Sequence, residues 1–182
     1  MRPLLTTIAL LTVTLAAPVH AQSPSTKIAP CTAAQLSIAL DNENGFFDGM
    51  SHSGTLLVLR NLGPSACTVP ARPLLTFEDA AHHPVSISLQ TPRGMHPGPV
   101  LLPVVIPVNA EVTGSMRWVS SDAYGAGNCV SPAVLTLHLD PAASDADTLR
   151  TSFRRRLCGP AHRSPSYSLI PLHRDPVYTP VK

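Results

Sequence analysis

The sequence predicts an all-β chain, an antiparallel two-sheet β-sandwich closed by two disulfides, and three observations carry that expectation. Short stretches of alternating apolar and polar residues recur with turn chemistry between them, and helical periodicity is almost missing. Only 13% of the residues are charged and 4% aromatic while 20 are proline, which suits a turn-rich exported protein better than a helical one. Four cysteines, an even number, suit two disulfides formed in an oxidising compartment.

The chain starts Met1-Arg2-Pro3, continues with an apolar run over 4–19, and reaches Val19-His20-Ala21 before Gln22. A positive start, a short apolar stretch and small residues before a cut describe a signal peptide, residues 1–21, removed after Ala21. A membrane span needs about 20 apolar residues, and Thr6, Thr7, Thr12 and Thr14 interrupt this shorter run. No cysteine follows the cut for lipid attachment, and the new amino terminus is Gln22, not His20. A copper site built from a terminal histidine and its own amine is therefore not expected. The product is expected in the periplasm or outside the cell, with no membrane span after signal removal.

The remaining 161 residues suit one domain. Residues 22–30 read as a flexible N-terminal segment, 31–159 as the sandwich, and 160–182, with five prolines, as an extended tail that docks on the body. Twelve basic against eleven acidic residues create no strong field, so nucleic acid is not an expected partner.

Strands are expected at 35–41 and 55–61, the second nearly all apolar as in a central strand covered on both sides. Asn61-Leu62-Gly63-Pro64 stops it. Further strands are expected at 72–78, 83–90, 100–106, 111–119, 133–139, 149–157 and near 167–172. Prolines 84, 92, 97, 103 and 107 confine the middle of the chain to edge strands or irregular segments.

The strand pattern also chooses a cysteine pairing. Cys31 and Cys67 are equidistant from Gly49, the centre of the hairpin 35–41/55–61, and Cys129 and Cys158 flank the turn-like 140–147 symmetrically. Each pair would close the open end of an antiparallel hairpin, within the roughly 4.4–6.8 Å Cα reach of a disulfide. Structural zinc prefers close cysteine pairs, and these are far apart in sequence.

Candidate chemistry is sparse. Met50 with His52, His82 with His83, and Met95 with His96 supply thioether and imidazole groups that suit copper or another soft metal, provided three loops meet. Ser51, His52 and Asp48 are the residue types of a hydrolytic triad, but neighbours on one loop point apart and no Gly-x-Ser-x-Gly elbow is present. Asp41, Glu43 and Asp48 lack the ligand order of a calcium loop. Arg154, Arg155 and Arg156 could suggest a nucleic-acid or lipid patch, but alternation on a strand would send Arg155 opposite to its neighbours, so a surface edge that discourages strand addition is expected. Trp118 reads as core. Phe46 and Phe47 must pack on the body or stand out as a contact.

Cys31-x4-Leu36, Leu57-Val58-Leu59-Arg60-Asn61-Leu62-Gly63 before Cys67-Thr68, Arg117-Trp118 ahead of Cys129-x2-Pro132-x2-Leu135, and Cys158-Gly159 together resemble the bacterial domain of unknown function 4232 family. The likeness runs from Cys31 to about Gly159. It implies an exported immunoglobulin-like β-sandwich and brings no reaction, cofactor or catalytic residue. Val69-Pro70-Ala71-Arg72-Pro73, the loop 42–54 and the proline-rich tail depart from the family pattern.

The expected function is a non-catalytic exported module, without cofactor, that binds an envelope protein or glycan through Phe46, Phe47, Met50, His52, Met95 and His96. A periplasmic soft-metal binder is the alternative, and a hydrolase ranks behind it.

Overall fold

The computed structural model describes residues 27–90, 100–121, 123, 127–140 and 147–174. The signal segment, most of 22–30, and Gly94, Met95 and His96 lie outside them, as does most of the turn 140–147. Twelve strands follow in order: β1 (Leu36–Asp41), β2 (His52–Asn61), β3 (Cys67–Val69), β4 (Leu74–Glu78), β5 (Ser88–Leu89) and β6 (Val104–Ile106), then β7 (Glu111–Val119), β8 (Asn128–Val130), β9 (Val134–His138), β10 (Thr148–Ser152), β11 (Leu157–Gly159) and β12 (Ser166–Leu169).

They form a five-stranded sheet in the order β1-β2-β7-β12-β5, a three-stranded sheet β10-β9-β4, and two-stranded pairs β11-β8 and β3-β6. The protein is thus all-β and predominantly antiparallel. Leu57 and Leu59 of β2, Met116 and Trp118 of β7, Leu135 and Leu137 of β9, and Phe77 of β4 bury into one apolar core. Phe153 is its fully buried centre, edge to face with Phe77 at 5.3 Å and Trp118 at 5.4 Å, while Phe77 meets Tyr167 of the opposite sheet at 5.5 Å. Such aromatic pairs add about 0.5–1.5 kcal/mol each beyond their area burial.

Several elements depart from the sequence reading. β2 is central, between β1 and β7, yet only one face is sealed: Leu57 and Leu59 are fully buried, and Leu56 and Val58 half-buried. The expected strand 83–90 shrinks to two residues, and 100–106 to three, at positions the prolines leave open. Residues 149–157 do not form one strand; the chain leaves the ladder over 153–156. Within the described part of the expected tail 160–182, residues 160–174 are not simply laid on the body, because β12 lies between β7 and β5, with Tyr167, Leu169 and Leu172 buried. β12 pairs with β5 in parallel.

The disulfides are Cys31–Cys67 and Cys129–Cys158, with Cα separations of 4.8 and 4.0 Å. Cys129 and Cys158 face each other directly on β8 and β11. Cys31 reaches Cys67 differently from a hairpin extension: Pro30 bridges Thr68 in parallel, with Cys31 N–H donating to the Thr68 carbonyl at 2.9 Å and Thr68 N–H to the Ala29 carbonyl at 2.9 Å. The segment before β1 crosses over to β3 instead of continuing beside β2.

Candidate functional site

Strand direction gathers the chemically interesting loops at one end of the molecule. The end of β1, the start of β2, the ends of β4 and β10 and the start of β9 lie there, since Asp41 pairs with Leu56, Glu78 with Val134 and Ser152 with Val134. Leu40 and Thr55 line a hollow together with Arg154 and Arg155, joining the two layers at that end.

The loop between β1 and β2 is closely tied. Glu43 N–H donates to Asp41 Oδ1 at 2.8 Å, and the chain turns through Glu43, Asn44 and Gly45 at positive φ of 46°, 54° and 85°. Ser53 Oγ donates to Asp48 Oδ1, and Gly49 N–H to the His52 carbonyl at 2.8 Å. Phe47 is 6% exposed and seated on β2, with the Arg117 guanidinium 4.9 Å from its ring centroid. Gly54 makes this seat possible: a Cβ there would lie 3.0 Å from Phe47 Cβ and 2.7 Å from the Met116 carbonyl oxygen. Phe46 stacks edge-on against Phe47 at 5.6 Å but is 74% exposed, and Met50 projects fully into solvent. The adjacent phenylalanines therefore divide the two roles, one anchoring the loop and the other presented.

Ser51 Oγ and His52 Nδ1 are 2.9 Å apart, on a half-buried and an exposed residue, whereas Asp48 is engaged by Ser53. The three residues thus do not form a relay in which the carboxylate orients the imidazole. His82 Nδ1 lies 3.1 Å from Glu78 Oε2, and His83 Nδ1 3.4 Å from Asp79 Oδ2. The His82 contact, reinforced by Arg150, holds the Glu78 carboxyl below its ordinary range; the backbone N–H groups of His83 and Ala81 do the same for Asp79. Among the described residues no three His, Cys, Asp or Glu side chains converge as a metal site.

What the sequence does not show is that the arginine run gathers on one side. Val134 pairs with Ser152 and Val130 with Leu157, so in the break between these two ladders 131–133 lie opposite 153–156, a bulge carrying one extra residue. Phe153 and Leu157 anchor its ends in the core, and Trp118 Nε1 donates to the Arg156 carbonyl at 3.0 Å. Arg154, Arg155 and Arg156 are all exposed and, contrary to strand alternation, line one hollow of about 500 Å³ with Ala80, Ser131 and Pro132. At the site of the first disulfide, a separate groove of about 380 Å³ is lined by Pro30, Val69, Pro70, Leu101 and Arg72, whose buried Nε has no hydrogen-bond partner.

The family described as a domain of unknown function (DUF4232) matches residues 31–165, from the first cysteine to beyond the last. The chain belongs to this family. No curated protein and no solved structure matches it. The DUF4232 signature residues of this chain are largely structural. Asn61 is fully buried: its Nδ2 donates to the carbonyls of Ser65 at 2.8 Å and Ile106 at 3.0 Å, and its Oδ1 accepts from Gly63 N–H at 2.9 Å. Gly63 sits tightly against Gln35 and Asn61: a Cβ would lie 3.0 Å from Gln35 Cγ and 3.2 Å from Asn61 Oδ1, so these side chains would have to give by a few tenths of an ångström. Of the exposed apolar side chains of this DUF4232 domain, Phe46 and Met50 lie outside the signature and Leu62 within it. Among the described residues no helix is long and apolar enough to cross a membrane.

Proposed function

We propose that the protein is an exported, non-catalytic binding module that meets a protein partner through the loop 42–54. The observation that carries this reading is the pairing of a solvent-facing Phe46 and Met50 with a loop base held by Phe47, Arg117 and Asp48. An apolar contact presented on a pre-ordered loop loses little conformational entropy on association, and aromatic anchors dominate interface energetics. A protein partner fits better than a glycan. Both presented side chains are purely apolar, and Trp118, the ring best suited to stack on a sugar, is buried and hydrogen-bonded. Export is supported by the pairing of all four cysteines, which suits an oxidising compartment.

A photo-crosslinking residue placed at 46 or 50 in the native host tests the contact. One defined adduct at those positions is expected, lost when Phe46→Asp is combined with the crosslinker at 50. Exposed Leu62, at the opposite end of β2, serves as control. Equal adducts at 62, or none at 46 and 50, would sink the proposal. Amino-terminal sequencing of the exported product should begin at Gln22; an uncut cytoplasmic chain would overturn the export part.

A further inference from the structure

We propose that the bulge at 154–156 is a binding site for a phosphate monoester, independent of the contact through Phe46 and Met50. Register creates the site. The extra residue on the arginine-bearing side interrupts the strand, so three consecutive arginines that a regular strand would divide between two faces line one hollow. Bulges commonly re-aim side chains in this way. The platform is fixed from below: Phe153 N–H donates to the Ala133 carbonyl and Arg155 N–H to the Phe153 carbonyl, each at 2.8 Å. Phe153 and Leu157 are fully buried on either side, and the Cys129–Cys158 disulfide follows immediately.

Among the described residues, no carboxylate neutralises the charge on this platform. Arg150 is engaged by Glu78, but no described acidic side chain forms an ion pair with Arg154, Arg155 or Arg156. The Arg156 guanidinium donates to Cys129 Sγ at 3.3 Å. The hollow shared by all three arginines has no carboxylate in its lining, and neither does the smaller one of about 220 Å³ shared by Arg154 and Arg155 with Leu40 and Thr55. Asp79 borders the neighbouring hollow that Arg154 lines with Arg150, where its carboxylate already accepts from two backbone N–H groups. Guanidinium forks match phosphate oxygens in bidentate geometry, and a dianionic monoester suits a cluster of three positive charges better than a lone carboxylate does. The space exceeds what inorganic phosphate alone would fill, leaving room for the esterified group.

The test is a titration of the isotope-labelled oxidised protein with glucose 6-phosphate, alongside flotation with vesicles of phosphatidylcholine alone or mixed with phosphatidic acid. Amide shifts confined to 153–157 and the flanking 131–133 are expected. Affinity should fall at least about tenfold in R154Q/R155Q, the loss expected from removing charge-assisted hydrogen bonds. R154K/R155K should recover part of it. Binding of glucose 6-phosphate assigns a soluble ester; binding only to phosphatidic acid vesicles assigns a lipid headgroup with the same chemistry. Undiminished binding by R154Q/R155Q, an equal loss in F46S/M50S, or no binding to either probe would overturn the proposal. Phosphate binding and partner capture fail separately, because they use different variants.

Discussion

At the residue scale, buried polar groups set the fold's tolerances. Asn61 uses both ends of its amide to close the turn after β2 and to tie it to β6, so it acts as a cross-link made of hydrogen bonds. The run Asn61-Leu62-Gly63-Pro64 was legible as a strand stop, but the burial of Asn61 was not, because its partners Ser65 and Ile106 converge only after folding. Tyr167 is 2% exposed, and burial pushes its hydroxyl up to about 12. Its folded pKa lies above its unfolded value. The stabilisation is therefore complete below the unfolded tyrosine pKa of about 10 and is lost as pH rises from there through the folded value. In a spectrophotometric titration of phenolate absorbance, one tyrosine should ionise only near the alkaline limit, and Tyr167→Phe should remove that phase. Persistence of the late phase in the variant would refute the assignment.

At the element scale, periodicity located the long strands well: β7 spans 111–119 as expected, and β1 and β9 lie within their expected stretches. It failed at the short ones. β3 and β8, three residues each, offer too little sequence for a period-2 signal and exist because a disulfide and a neighbouring strand hold them. The break at 153–156 was equally hidden, since a bulge is defined by its count against the opposite strand. The Cys129–Cys158 link closes the ladder just beyond that bulge, so C129A/C158A should lower stability by about 2–4 kcal/mol and broaden the 154–156 resonances, while β1 and β2 keep their amide protection. Calorimetric melting and hydrogen exchange read both effects; an unchanged melting temperature would show that the bulge is held by packing alone.

At the scale of the whole molecule, the fold places the 42–54 loop, the His82–His83 turn and the arginine bulge at one end, and among the described residues no three His, Cys, Asp or Glu side chains converge as a metal site, while His82 and His83 each face a carboxylate. Titration of the oxidised protein with copper and with zinc should give no tight binding that depends on Met50, His52, His82 or His83. A tight site abolished by M50A/H52A, or by M95A/H96A in a parallel series, would move the protein to metal handling. The sequence by itself determined the β class, the strand-rich core and the cysteine chemistry, because alternation, proline placement and cysteine count act locally or through chain symmetry. Tertiary structure alone decided that β12 enters the sheet, that Cys31 meets Cys67 across a parallel bridge, and that Phe46 is presented while Phe47 is seated. It also decided that three arginines share one hollow. Each of these depends on what another segment places opposite a residue, a relation between distant segments that a linear pattern of residue types does not encode.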